Sequence, residues 1–158
     1  MKFFRLNQKI NEVLYNRFKT FLDQHGKEDI CIIFDCTGGD GGWSAKIVNL
    51  MNSSQIKFYG FAYREVNSAA IQIFLSTHFR FGDRQASATI HRVKKDKRFD
   101  LTREEVLLVE KQILQFIAGR LDLSLRAVYK IANANDGVGT VITMQHPLHK
   151  KFFFNLSK

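Results

Sequence analysis

Three short stretches of this chain carry residue types that do chemistry. The first is Ser68-Ala69-Ala70, which opens an apolar helical run ending near Thr77, after a strand-like run over 56–63 and the turn-like Arg64-Glu65-Val66-Asn67. A serine at a helix start caps it, because the hydroxyl accepts from an unpaired backbone N–H, and taken alone that is the favoured reading. The same position suits a nucleophile: the hydroxyl stands at an element end, two alanines let a reactant approach the backbone, and the helix N-terminus favours an anion. The second stretch is Thr37-Gly38-Gly39-Asp40-Gly41-Gly42. Glycines can take positive φ and aim free N–H groups at an oxyanion or phosphate. Neither the Lys-Ser/Thr pair of a phosphate-binding loop nor dinucleotide glycine spacing is present. The third is His91, at the end of the strand-like Ala86-Ser87-Ala88-Thr89-Ile90. An imidazole there has the chemistry of a general base.

The elements around these stretches decide whether they can meet. Ile10, Val13, Leu14, Phe18, Phe21 and Leu22 recur at helical spacing over 8–25, with Gly26 as the stop. Ile30-Cys31-Ile32-Ile33-Phe34 is a continuous apolar run of the kind buried on both faces of a parallel sheet. A helix over 43–51 follows the glycine turn, then the 56–63 strand and the 68–77 helix. Such alternation predicts α/β architecture with right-handed crossovers and a mainly parallel sheet. Ligands of these sheets bind beyond the carboxyl ends of strands, where Gly38-Gly39, Ser68 and His91 all fall. From Leu101 the pattern changes to a long, broadly apolar helix opened by Thr102-Arg103-Glu104-Glu105 and closed near Gly119. A short helix over 124–132, a polar turn over 133–139, a helical segment over 143–150 interrupted by Pro147, and the hydrophobic Phe152-Phe153-Phe154 complete the chain. No linker divides it, so residues 1–158 read as one domain.

Composition narrows the function classes. With 158 residues, 45% hydrophobic and 13% aromatic, the chain can bury a core of useful size. No apolar run reaches the roughly 18 residues that span a bilayer, and Met1-Lys2-Phe3-Phe4-Arg5 is not a signal sequence, so no membrane role and a cytoplasmic location are expected. Two cysteines, Cys31 and Cys36, give no support to a disulfide framework or a zinc site. A net charge of +9 fits nucleic acid or an acidic partner, yet the densest basic run, 92–98, has no interleaved aromatics for base stacking. A solvated basic surface is the better reading, and nucleic acid is not an expected partner. His146 and His149 make a poor metal pair without further ligands, His78 reads as a helix-end residue, and Asp35 and Asp40 read as solvated loop carboxylates. No cofactor or metal is expected.

In this order, the motifs resemble the proteolytic subunit of the Clp protease (ClpP) and its relatives, serine peptidases of the ClpP/crotonase fold. Ile30 to Phe34 with Gly38-Gly39 looks like that family's strand and oxyanion turn, although Thr37 stands where proline is usual. Ser68-Ala69-Ala70 is similar to its nucleophile segment, and Thr89-Ile90-His91 to its histidine strand. The family's usual glycine before the nucleophile is replaced within Arg64-Glu65-Val66-Asn67. The region 92–121 resembles its handle, through which subunits interlock. The resemblance implies repeated βαβ units with a protruding handle helix and peptide-bond cleavage. Ser68 would attack, His91 would take the proton, and Gly39 and Ala69 N–H groups would hold the oxyanion. Asp136 would be the third member, with Asn135 as the alternative. It further implies a peptide or protein substrate, a homo-oligomer, and an AAA+ unfoldase among candidate partners. Two other readings share the fold: an inactive scaffold subunit, in which Ala70 takes the nucleophile's place, and a crotonase-type acyl-CoA enzyme using the same oxyanion hole on a thioester.

Overall fold

The β-branched runs and amphipathic helices assemble into a parallel sheet joined by helical crossovers. The computed structural model describes residues 1–93 and 101–154, so residues 94–98 of the basic run and 94–100 of the handle region lie outside the described residues. In chain order the elements are β1 (Lys2–Leu6), α1 (Glu12–His25), β2 (Ile30–Cys36), α2 (Gly41–Asn52), β3 (Phe58–Asn67), α3 (Ala70–Leu75), β4 (Phe79–Gly82), β5 (Ser87–Ile90), α4 (Arg103–Leu121), α5 (Leu125–Asn133), β6 (Thr140–Ile142) and α6 (His149–Phe153). The sheet runs β1-β2-β3-β5-β6, with β4 also on β3. The pairings β1–β2, β2–β3, β3–β4 and β3–β5 are all parallel. This is the α/β, mainly parallel architecture that the alternation predicts.

β3 organises the sheet. Its first half, Tyr59–Ala62, pairs with Phe79–Gly82 of β4, and its end, Glu65–Asn67, pairs with Ser87–Thr89 of β5. Between the halves the register with β2 slips: Phe34 faces Ala62 but Cys36 faces Val66. Two residues of β2 thus oppose four of β3, a bulge that leaves Tyr63 exposed. The turn expected at Arg64–Asn67 is therefore strand, because Val66 is fully buried and paired on both sides. β4 and β6 escaped the periodicity, being four and three residues long. The segment expected as helix over 143–150 is mostly turn, with α6 formed only from His149.

Two compact units make up the chain: residues 1–89 with 141–158, and residues 90–140. The first unit is built on phenylalanines. Phe34 meets Phe74 edge-on at 5.1 Å, and Phe74 stacks on Phe152 at 5.7 Å, so the terminal Phe run docks rather than extends a strand. Buried Arg80 donates from Nε to the Phe152 carbonyl at 3.1 Å, which fixes the end of α6. His78 lies exposed just past the end of α3, as expected of a helix-end residue, and its Nδ1 accepts from the Phe58 N–H at 3.1 Å.

The second unit centres on α4, whose expected opening at Thr102–Glu105 is a capping box between Thr102 and Glu105. α4 buries Leu114, Ile117, Ala118 and Leu121, together with Glu110. Leu107, Leu108 and Val109, within the helix expected to be broadly apolar, are exposed. α5 starts at the Ser124 cap, whose hydroxyl accepts from the Ala127 N–H. No helix among the described residues is long and apolar enough to cross a membrane.

Candidate active site

The glycine turn follows β2 directly. Gly38 and Gly39 sit at φ 104° and 151°, and the turn is tied to the segment before α1 by the Ile10 N–H to Gly38 carbonyl bond (3.0 Å) and the Asp40 N–H to Ile10 carbonyl bond (2.9 Å). The turn is shorter than expected. Gly41 and Gly42 belong to α2, whose N-terminus is capped by Asp40: its Oδ1 accepts from the Gly42 N–H at 2.8 Å and the Trp43 N–H at 3.1 Å. Asp40 is thus a cap and not a solvated loop carboxylate.

Beneath the turn, Cys36 uses up one of its N–H groups. The thiol donates to the Gln8 carbonyl at 3.2 Å, and the Gly38 N–H donates to Cys36 Sγ at 3.4 Å. Burial pushes this thiol above its ordinary pKa, with the Gly38 bond opposing and the charges of Asp35 and Glu65 adding. Cys31 and Cys36 are both free thiols. The Gly39 N–H makes no hydrogen bond among the described residues, so it is the turn's available donor.

Ser68 stands between β3 and α3 in the left-handed region, at φ 54°. Both of its backbone groups are committed: its N–H donates to the Thr89 carbonyl at 3.2 Å and its carbonyl accepts from the Ile71 N–H at 3.0 Å. Its hydroxyl makes no hydrogen bond among the described residues, and the N-cap position of α3 is Ala69, with no side-chain cap. Capping, the favoured reading of Ser68 in isolation, is therefore not its role. A non-glycine residue costs roughly 1–3 kcal/mol in such backbone, and residues held there concentrate at functional sites. A sharp strand-to-helix turn also presents a serine hydroxyl outward.

Around Ser68 the packing is tight. A Cβ on Gly38 would lie 2.6 Å from Ser68 Cβ and 2.8 Å from the Asn67 carbonyl. The buried hydroxyl of Ser44 donates to the Ala69 carbonyl at 2.7 Å, which holds the Ala69–Ala70 peptide in place. The Ala69 N–H, like that of Gly39, makes no bond among the described residues. Ala70 is the first residue of α3 and is fully buried. Asn67 Oδ1, just before Ser68, is buried without a partner among the described residues, while Asn67 Nδ2 donates to Glu65 at 3.3 Å. Asn67, expected as part of a turn, is the last residue of β3.

His91 follows β5, two residues along the chain from the Thr89 carbonyl that binds Ser68. Its Nδ1 lies 2.6 Å from the Arg92 carbonyl oxygen. A carbonyl can only accept, so Nδ1 is the donor in this contact; in the neutral ring that arrangement leaves the lone pair on Nε2, the tautomer a general base needs. The polar turn is brought onto this histidine from within the same unit. Gly139, at φ 98°, backs onto the Ile90 carbonyl, and a Cβ there would lie 2.7 Å from His91 Cβ. Asn135 and Asp136 both take left-handed backbone in that turn, at φ 52° and 56°. The Asn135 amide donates to the Gly139 carbonyl at 3.1 Å, holding the turn closed.

Glu110 is a residue that sequence reading missed. It is 2% exposed and accepts from Arg92 Nε at 3.2 Å, from Arg92 Nη2 at 3.0 Å and from the Val93 N–H at 3.0 Å. The ion pair holds the Arg92 guanidinium charged, above its ordinary range. A signal was present: Glu110 shares the α4 face of Leu114 and Ile117, at helical spacing, where an acid is out of place. Nδ1 of His146 accepts from the Leu148 N–H, and no group of three or more His, Cys, Asp or Glu side chains that could hold a metal ion occurs among the described residues.

In sequence, neither a protein-family profile nor a curated protein matches the chain. In structure the likeness is broad. ClpP1 from Listeria monocytogenes superimposes with a TM-score of 0.82, and an asparagine-to-aspartate mutant of that ClpP1 with a TM-score of 0.84. Each is 16% identical to this chain, and each match covers 96% of this chain and 88% of the other. The fold of the chain is ClpP-like.

Proposed function

We propose that the chain is a serine peptidase, with Ser68 as nucleophile and His91 as general base. The observation that carries the proposal is Ser68 itself: a non-glycine residue in left-handed backbone at a strand-to-helix turn, its hydroxyl unbonded among the described residues, with the Gly38 α-carbon packed against it. The buried position of Ala70 supports Ser68 over Ala70 as the nucleophile.

In the proposed reaction Ser68 Oγ attacks the carbonyl carbon of a peptide bond and its proton passes to His91 Nε2. The Gly39 and Ala69 N–H groups, both without partners among the described residues, receive the oxyanion. The C–N bond then breaks, His91 returns the proton to the departing amine, and water repeats the sequence to release the acid and restore Ser68. Asp136 supplies negative charge that stabilises the imidazolium, and Asn135 keeps that turn closed. The exposed Leu107, Leu108 and Val109 on α4 support self-association, and we include a homo-oligomer in the proposal. An unfoldase partner and a protein substrate belong to it by analogy with the resembled family.

The test is intact-mass labelling with a fluorophosphonate, comparing the parent with Ser68→Ala and His91→Ala. A single adduct lost in both variants supports the peptidase. No adduct on the parent removes it and leaves the scaffold reading in first place.

A further inference from the structure

We propose that Glu110 orients the His91 imidazole through the peptide group that joins Arg92 to Val93. The inference rests on the general-base role of His91, but its geometry stands apart from any activity. The Arg92–Val93 peptide is hydrogen-bonded at both ends. Its carbonyl accepts the His91 Nδ1 proton at 2.6 Å, and its N–H donates to Glu110 Oε2 at 3.0 Å. A peptide unit is planar, so its N–H and C=O point in opposite directions and turn together. Fixing the N–H on a buried carboxylate therefore fixes where the carbonyl points, and with it the ring nitrogen that holds the proton.

Glu110 is built for such a task. Both of its oxygens accept N–H bonds, three from Arg92 and one from Val93, as an ionised carboxylate does. It is 2% exposed, whereas Arg92 is 43% exposed, so the anion is the anchored partner and the guanidinium closes over it. Its Arg92 bonds hold the side chain of the same residue whose carbonyl meets His91. Hydrogen bonds in series polarise one another: a carboxylate pulling on the N–H makes the carbonyl at the other end a better acceptor. Glu110 thus gives His91 much of what a directly bonded carboxylate would, namely one tautomer, one ring orientation and some negative charge at a distance. Glu110 is a positioning residue, since it touches neither substrate nor imidazole. It also places the orienting group on α4, so a change in that helix reaches the histidine through one ion pair and one peptide.

The test reads the tautomer directly. Long-range proton–nitrogen correlation spectra of the imidazole rings, with His91 assigned by its loss in His91→Ala, report which ring nitrogen carries the proton. The parent is expected to show a single tautomer protonated at Nδ1. In Glu110→Gln that signal gives way to a tautomer mixture, and fluorophosphonate labelling of Ser68 slows on the order of a hundred-fold. Because Glu110→Gln strands the Arg92 charge, the paired variant Arg92→Met with Glu110→Leu is measured beside it; replacing both charges by apolar groups commonly preserves folding. It should lose the single tautomer as well. A parent protonated at Nε2, or a folded variant that keeps the parent tautomer and labelling rate, overturns the proposal. If the parent takes no adduct the peptidase reading fails, while the tautomer still decides the role of Glu110.

Discussion

Gly38 and Ser68 are packed back to back: each has left-handed backbone, at φ 104° and 54°, and a Cβ on Gly38 would come within 2.6 Å of Ser68 Cβ. The glycine turn and the proposed nucleophile are therefore one structural unit. Replacing Gly38 by alanine adds an L side chain to unfavourable backbone and forces it into Ser68. Gly38→Ala should lose roughly 1–3 kcal/mol of stability. Its labelling of Ser68 should slow at least about ten-fold, because the Gly39 N–H and the hydroxyl move together. Urea unfolding and adduct kinetics measure the two effects, and a variant as stable and as reactive as the parent would refute the close approach.

The strain at Ser68 makes a prediction about its two simplest replacements. Ser68→Ala keeps a Cβ in left-handed backbone, whereas Ser68→Gly releases it. Both should lose the adduct, but the glycine variant should be about 0.5–1 kcal/mol more stable than the alanine variant, reversing the usual ranking of these residues. Denaturant midpoints with matched slopes decide it. An alanine variant of higher stability would mean that the turn is relaxed.

Asn135 and Asp136 adjoin in sequence but do different things. The Asn135 amide donates to the Gly139 carbonyl, and an aspartate cannot. Asn135→Asp should therefore destabilise the turn, by about 1–3 kcal/mol, and slow labelling indirectly. Asp136→Asn should leave the melting temperature nearly unchanged and slow labelling on the order of ten-fold, through the lost charge alone. Salt separates them further, because only a Coulombic contribution is screened. Equal melting temperatures for the two variants would contradict this division.

His149 gives the chain an acid sensitivity. The residue is 6% exposed, its Nε2 has no partner among the described residues, and the rings of Phe153 and Phe154 lie beside it. Burial disfavours its charged form and lowers its pKa below the ordinary value of 6.5. Below that value the unfolded chain takes up a proton that the folded chain refuses, so the contribution is fully present above about pH 6.5 and is lost as pH falls toward the depressed folded value. Melting temperatures of the parent should drop through this window more steeply than those of His149→Phe. Parallel curves would remove the assignment.

Leu107, Leu108 and Val109 are 44%, 57% and 38% exposed on α4. Three consecutive apolar side chains of this exposure suit contact with another copy of the chain. Leu108→Asp should shift the protein to smaller species in light scattering coupled to gel filtration, with its circular dichroism unchanged. An unaltered mass would place self-association elsewhere.

The sequence by itself determined the alternation of strands and helices, the parallel sheet, and the three stretches at strand ends. Continuous apolar runs, 3.6-residue periodicity and glycine clusters are local signals, and local signals survive without coordinates. The helix openings at Thr102 and Ser124 were legible for the same reason. Tertiary structure decided what depends on partners distant in sequence. Arg64–Asn67 reads as a turn because its polar side chains hide the backbone pairing of Glu65–Asn67 to β5, and β4 becomes a strand only because β3 is there to receive it. Ser68 looks like a cap in one dimension. Its left-handed φ, imposed by a strand on one side and buried Ala70 on the other, takes it out of that role. Nor could spacing connect Glu110 to His91, since the link runs through a peptide group whose direction exists only once the chain has folded.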